Sequence, residues 1–211
     1  MSSEQFKIGK GKFSAKHFAE NFLQSPRIIC VTGQMAAGKN FVCSCLTELG
    51  FVALDMDETA HEAISLCTEK ILSTFGDEAK SRGISLIRAD GSLNRRALGQ
   101  IVFSDKKLLA LQESIVYPKI IELTNRFIVE NSEKSVILNA TVLYKIPELL
   151  SKCEKILFVT APFFKRLVRA KKRDKIPIIQ ILARFKNQKN LLSEYEKVAE
   201  KFKISIEKIK N

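Results

Sequence analysis

Short apolar runs and helical apolar repeats alternate along the chain. Four runs are too short for helices and rich in β-branched residues, so they predict buried strands over residues 27–32, 51–54, 135–139 and 155–160. Apolar residues at helical spacing predict helices over about 41–49, 60–75, 94–103, 105–129, 162–174 and 191–203, with another opening at Pro177. Strands that alternate with helices predict an α/β fold with a parallel central sheet flanked by helices.

Residues with special backbone chemistry set the predicted boundaries. Gly50 is expected to end the first helix and Gly76 the second, and Asn94 is expected to cap the third. Residues 81–93 are expected to form a loop. The segment 202–211, FKISIEKIKN, is ambiguous between helix and strand.

The beginning of the chain differs from the rest. Residues 1–26 are polar, lysine-rich and weakly periodic, so they are predicted to be an extension before a domain that covers residues 27–211. They lack the apolar core of a signal peptide. No apolar run approaches the roughly 18 residues that a membrane-spanning helix needs, and we expect no membrane association.

Cysteine and histidine usage points to reduced thiols. The chain has five cysteines and two histidines, without a C-x-x-C pair or a metal-ligand cluster. An odd number of cysteines in a chain of this length argues against a disulfide framework and against a zinc site. We therefore expect a cytoplasmic protein.

Positive charge is concentrated in the last third of the sequence. The net charge is +12, and residues 145–211 hold 18 of the 35 basic residues but only 7 of the 23 acidic ones. This asymmetry predicts a polyanionic partner. A solvated basic helix face is the alternative interpretation.

The segment with the most informative chemistry is GQMAAGKN, residues 33–40, between a predicted strand and a predicted helix. Gly33 and Gly38 permit a tight turn that brings backbone N–H groups close to phosphates, and Lys39 reaches the β- and γ-phosphates. A tight turn with a stray lysine is the alternative. The dinucleotide fingerprint G-x-G-x-x-G is absent, which argues against a nicotinamide dehydrogenase. Asn40 stands where Ser or Thr usually binds Mg²⁺, and its carbonyl oxygen is a hard ligand, so Asn40 is a candidate Mg²⁺ ligand.

Two aspartates follow the second predicted strand. In an extended chain, Asp55 and Asp57 point to one face, near the carboxyl edge of the sheet and beside the phosphate loop. One is a candidate general base and the other a Mg²⁺ or water orienter. The alternative is a helix N-cap with an acidic first turn.

Two arginines lie four residues apart on the basic helix after the fourth strand. Arg169 and Arg173 are candidates for clamping a transferring phosphoryl group. The alternative is an exposed basic helix.

From about residue 28 to residue 188, the sequence resembles the dephospho-CoA kinase family. The resemblance includes the phosphate loop, FVALDMD with its Asp-x-Asp, FGDEA at residues 75–79, and RAKKRD at residues 169–174, which is similar to the family's lid. The most specific match is DGSLNRRALGQIVF, residues 90–103, where the family has Asp-Gly-x-Leu-x-Arg-x-x-Leu. The resemblance implies a P-loop kinase fold similar to adenylate kinase, with a five-stranded parallel core, a lid at about 162–178 and a helical acceptor-binding insertion at about 58–131.

The resemblance also implies an activity and a set of roles. The chain would use ATP and Mg²⁺ to phosphorylate the 3′-hydroxyl of dephospho-CoA, with Asp57 as the base and with Asp55 and Arg95 on the substrate side. Arg169 and Arg173 would close over the phosphates as the lid. ATP would be bound by Lys39 and the backbone of Gly33, Ala36, Ala37, Gly38, Asn40 and Phe41.

Several positions depart from the family pattern. Asn40 replaces a hydroxyl residue, Tyr117 replaces the His that usually precedes Pro118, and LNATVLYK at residues 138–145 replaces a Pro-Leu-Leu-rich segment. The end lacks a clear Ala-Asp-x-Val-Ile-x-Asn strand. Two alternatives therefore stay open: another small P-loop nucleoside or nucleotide kinase, and a degenerate P-loop protein that binds nucleotide or nucleic acid without turnover. A nucleic acid partner is not expected if the resemblance holds.

Overall fold

The computed structural model describes residues 18–20 and 25–211. Expectations for residues 1–17 and 21–24 lie outside the described residues. The described chain divides into two compact units: one contains the residues up to Met56 together with Phe127–Asn211, and the other is Asp57–Arg126.

A five-stranded parallel sheet forms the centre of the first unit. Its strands are β1 (Ile28–Gly33), β2 (Val52–Asp55), β3 (Val136–Asn139), β4 (Lys155–Thr160) and β5 (Ser205–Lys210), in the order β2-β3-β1-β4-β5. The register pairs Val31 with Asn139 and with Leu157, and Asp55 with Asn139. Every residue of β3 is buried, as expected for a strand covered on both faces. The predicted α/β fold with a parallel sheet is confirmed.

Helices connect these strands. The first unit contains α1 (Lys39–Thr47), α6 (Pro147–Leu150), α7 (Phe163–Asp174), α8 (Ile178–Asn187) and α9 (Leu191–Phe202), with a 3₁₀ turn at Leu143–Lys145. Pro162 directly precedes α7 and Pro177 directly precedes α8. Proline suits a helix start because its φ is fixed near the helical value and its missing N–H would have no partner within the helix.

The second unit is helical, and the acceptor-binding insertion expected at about 58–131 stays a prediction. The unit contains most of α2 (Met56–Leu66), α3 (Thr68–Ser81), α4 (Arg95–Val102) and most of the long helix α5 (Lys106–Glu130). The Asn94 side chain caps α4 by accepting a bond from the Ala97 N–H at 3.1 Å, as predicted.

Two predicted element boundaries are wrong. The helix expected over residues 60–75 is two helices, because α2 ends at Leu66 and α3 begins at Thr68. Gly76 does not end the second of these helices, since Phe75 and Ala79 are both buried four residues apart and their packing carries α3 through to Ser81. The ambiguous end of the chain contains β5, which pairs with β4 and buries Ile209.

Residues 18–20, within the predicted extension, are helical and pack on the first unit. Phe18 and Ala19 belong to the buried cluster that also contains residues of β1, α1 and β4. The Phe18 ring lies 6.4 Å from the ring of Phe51, centroid to centroid. This part of the chain therefore contributes to the core.

We expect Phe18→Ala to lower the free energy of unfolding by about 3–5 kcal/mol, because it leaves a cavity in the core. Urea denaturation measures the change. Phe164→Ala is the matched control, since this ring is 77% exposed and its loss should cost less than about 1 kcal/mol. Equal effects of the two substitutions would contradict the packing of Phe18 in the core.

Candidate active site

The loop between β1 and α1 is shaped by two glycines. A Cβ atom on Gly33 would overlap the carbonyl oxygen of Val159 in β4, so only glycine allows the two strands to approach here. Gly38 has a φ of 103° and immediately precedes α1, and a Cβ atom there would overlap Nδ2 of Asn211. The Ala37 N–H donates a hydrogen bond to the Gln34 carbonyl at 3.0 Å, and this bond closes the turn.

The loop borders a cavity of about 240 Å³ at the N-terminus of α1. Backbone N–H groups and the helix dipole favour an anion at such a position. The cavity is lined by Gln34, Ala36, Ala37, Gly38, Lys39, Asn40, Arg169 and Arg173. Seven of the residues predicted to bind or act on ATP thus meet around one cavity. Gly33 lies at its strand end, and Phe41 is 46% exposed in the first turn of α1.

Lys39 contacts a residue that follows β3. Its Nζ donates to Oγ1 of Thr141 at 3.1 Å. The Thr141 carbonyl accepts a bond from the buried Tyr195 hydroxyl at 3.3 Å, and this hydroxyl accepts a bond from the Leu143 N–H at 2.9 Å. Lys39 therefore contacts a segment that is held in place by hydrogen bonds to Tyr195 of α9.

Asn139 joins two predicted site residues at the carboxyl edge of the sheet. Its Nδ2 donates to Oδ1 of Asn40 at 3.2 Å and to Oδ2 of Asp55 at 3.5 Å. Its own Oδ1 is buried without a hydrogen-bond partner among the described residues. Three oxygen-bearing side chains, from β2, β3 and α1, are thereby gathered beside the phosphate loop.

Asp57 and Arg95 both belong to the second unit. The strand geometry predicted for the aspartate pair is wrong, because α2 begins at Met56 directly after Asp55. Asp57 and Glu58 instead form an acidic first turn, which favours the start of a helix. Arg95 is the first residue of α4. Their roles toward the acceptor stay predictions.

Arg169 and Arg173 both reach the cavity from α7. Nη1 of Arg169 donates to the Ala37 carbonyl at 3.4 Å, and Nη2 donates to Oδ1 of Asn211 at 3.5 Å. Arg173 donates from Nε to Oδ1 of Asp174 at 2.6 Å. This bond, together with the arginine's charge, lowers the pKa of the Asp174 carboxyl and raises that of Arg173. The guanidinium thus stays cationic at every physiological pH.

The cysteines near the loop are not suited to nucleophilic chemistry. Burial raises the pKa of Cys30 and of Cys43 to about 12, so both thiols stay protonated at neutral pH. The site therefore depends on backbone N–H groups, cations and oxygen ligands.

Sequence reasoning missed several residues that touch the phosphate loop. These residues are Asn139, Thr141, Arg166, Gln188 and Asn211, and Gln34 within the loop also lines the cavity. Asn139 and Thr141 had a usable signal, since polar residues at the carboxyl end of a parallel strand lie where such sheets bind ligands. The other contacts depend on tertiary packing.

The fold and the phosphate loop define a P-loop kinase. A sequence model of the family described as dephospho-CoA kinase matches residues 27–204. The chain belongs to the dephospho-CoA kinase family. It is 37% identical to the dephospho-CoA kinase of Treponema denticola over 81% of this chain and 77% of that one. It is also 35% identical to the dephospho-CoA kinase of Treponema pallidum, over 79% and 80% of the two chains.

A solved structure agrees with the fold. The crystal structure of TT1252 from Thermus thermophilus superimposes with a TM-score of 0.71 at 25% identity, covering 87% of this chain and 88% of that chain. Within the described residues, no helix combines the length and apolar character needed to cross a membrane.

We expect Gly38→Ala to raise the dissociation constant for ATP about tenfold or more. A side chain there is strained at positive φ by about 1–3 kcal/mol and overlaps Asn211. Isothermal titration with a non-hydrolysable ATP analogue measures the change. Gly76→Ala is the control, because a Cβ at that helical position meets no atom within 4 Å. It should leave the dissociation constant unchanged and stabilise the fold by about 0.5–1 kcal/mol. An unchanged ATP affinity in Gly38→Ala would contradict the role of this turn.

Proposed function

We propose that this protein transfers the γ-phosphoryl group of ATP to the ribose 3′-hydroxyl of dephospho-CoA, giving coenzyme A. The observation that carries the proposal is the single cavity shared by the phosphate loop, Lys39, Arg169 and Arg173, in a member of the dephospho-CoA kinase family. The family match does not favour another P-loop kinase or a protein without turnover. A cytoplasmic location stays a prediction.

Binding of the donor depends on positive charge and on backbone N–H groups. The loop amides at the N-terminus of α1 hold the β- and γ-phosphates, and Lys39 moves its ammonium from Thr141 to a phosphate oxygen. Arg169 and Arg173 neutralise the charge on the transferring group. Both substrates are polyanions, which gives the basic last third of the chain a function.

Activation of the acceptor is assigned to the second unit. Asp57 takes the proton of the 3′-hydroxyl as the oxygen attacks the γ-phosphorus in line. Arg95 binds the acceptor, and Asp55 orients the substrate from the end of β2. Catalysis then consists mainly of positioning and charge neutralisation, since phosphoryl transfer needs little covalent chemistry from the protein.

Oxygen donors beside the loop fit Mg²⁺. Within the described residues, no group of three or more His, Cys, Asp or Glu side chains forms a metal site. Asn40 and Asp55 supply hard oxygens, and the unpartnered Oδ1 of Asn139 is a further oxygen beside them. Asn40 would hold the ion, directly or through a water, and Mg²⁺ would neutralise charge on the β- and γ-phosphates.

An acceptor screen tests the proposed function. Purified protein with ATP and Mg²⁺ would be offered dephospho-CoA, adenosine, AMP and pantetheine in turn, with ADP release and product mass as readouts. We expect turnover with dephospho-CoA alone. Faster turnover with AMP or adenosine would replace the proposal with a nucleotide or nucleoside kinase, and ATP binding without any turnover would favour the degenerate P-loop alternative.

We expect Asp57→Asn to reduce kcat by roughly 10²–10⁴-fold, the usual contribution of a general base, while ATP still binds. Steady-state kinetics at saturating substrates measures the loss. Glu58→Gln is the matched control, because it removes one negative charge from the same first turn of α2. If both variants turn over at near-normal rates, Asp57 is not the base.

The Asn40 departure is tested by two substitutions. Ser supplies another neutral oxygen ligand, so Asn40→Ser should stay active with a modest shift in its Mg²⁺ requirement. Leu supplies no oxygen, so Asn40→Leu should lose far more activity and its metal-dependent ATP affinity. Activity measured against Mg²⁺ concentration separates the two. A Leu variant that matches the unmodified protein would remove Asn40 from the metal site.

A further inference from the structure

Arg166 on α7 is a buried cation that contacts the phosphate loop from outside the cavity. Only 6% of the residue is exposed, whereas Lys165 beside it is exposed. Its Nε donates to the Met35 carbonyl at 2.9 Å, and its Nη1 donates to Oε1 of Gln34 at 2.6 Å. The guanidinium carbon lies 4.2 Å from the ring centroid of Phe185 on α8.

Both main-chain polar groups of Met35 are bound by side chains, one from α7 and one from the residue that follows α8. Arg166 holds its carbonyl, and Oε1 of Gln188, just after α8, accepts a bond from its N–H at 2.6 Å. The Met35 side chain is buried in a cluster with Ala170, Ile181 and Phe185. The first half of the phosphate loop is therefore attached to α7, the helix that also carries Arg169 and Arg173.

Stability alone is a poor explanation for a charge at this position. No carboxylate pairs with Arg166 among the described residues, and its buried Nη2 has no hydrogen-bond partner there. A buried charge with only neutral acceptors carries a desolvation cost, and burial accordingly lowers the pKa of the guanidinium. A guanidinium does, however, offer a planar fork that holds two acceptors on successive residues in a fixed geometry.

We propose that Arg166 is a positioning residue that, together with Gln188, fixes the Gln34–Met35 turn in the shape that binds the triphosphate. Arg166 acts through the loop rather than by touching the reacting atoms, since it does not line the cavity. Its loss should therefore weaken ATP binding much more than it slows turnover at saturating ATP. This inference rests on the proposed ATP-binding role of the loop.

The test compares ATP affinity and kcat across matched variants of the full chain. Arg166→Met keeps much of the apolar stem but removes the fork, and Gln188→Leu removes the acceptor of the Met35 N–H. We expect each variant to stay folded by circular dichroism and to raise the dissociation constant for a non-hydrolysable ATP analogue about tenfold or more, with kcat within about threefold. Arg166→Lys keeps the charge but not the fork and should recover only part of the affinity. Lys165→Met removes an exposed charge from the same helix and should change both constants by less than about twofold.

Each outcome has a distinct meaning. Unchanged ATP affinity in folded Arg166→Met and Gln188→Leu would overturn the proposal while leaving the proposed function in place. A loss of kcat as large as the loss of affinity, or the failure of both variants to fold, would also overturn it, because a positioning role predicts neither. An unmodified protein that does not bind the ATP analogue would overturn the proposed function and this inference together.

Discussion

The close approach of β1 to β4 at Gly33 is the constraint on which the site depends. The Val159 carbonyl occupies the space that a side chain at position 33 would need. Because Gly33 has no side chain, β1 stays paired with β4 up to the start of the phosphate loop. The parallel register then aligns the carboxyl ends of β2, β3 and β1, so that Asp55, Asn139 and the loop come to one edge. The positions of the polar side chains at this edge thus depend on how the strand backbones pack.

Two departures from the family pattern are in direct contact. Asn40 lies in the first turn of α1, Asn139 is the last residue of β3 within the atypical segment 138–145, and their side chains form a hydrogen bond. Thr141, in the same segment, accepts a bond from Lys39. The amide side chain at position 40, which is longer than the usual Ser or Thr, is therefore hydrogen-bonded to the amide side chain of Asn139. The unusual residues are consistent with a rearranged set of contacts, in which the phosphate loop and the end of β3 still support each other.

Local chemistry accounts for most of what the sequence could predict. Buried strands show as apolar runs, Asn94 shows as a cap, and the phosphate loop shows as two glycines and a lysine between a strand and a helix. The segment that contains β5 could not be assigned, because its isoleucines at 204, 206 and 209 suit a strand or a helix, and pairing with β4 decides between them. Arg166 could not be assigned either, since arginine in a basic helix is usually exposed, and only packing against Phe185 and Met35 buries it.

The contact of Asn211 with the loop has a consequence for how the protein folds. Nδ2 of Asn211 donates to the Ala37 carbonyl at 3.0 Å, across a sequence separation of 174 residues. Contacts of such high separation close a large loop of chain and slow folding. During synthesis, β1 and Lys39 leave the ribosome before β5 does, and the loop lacks this bond until β5 has paired with β4. The geometry of the phosphate loop is therefore linked to the pairing of the edge strand β5 with β4, which lies far from the loop in sequence.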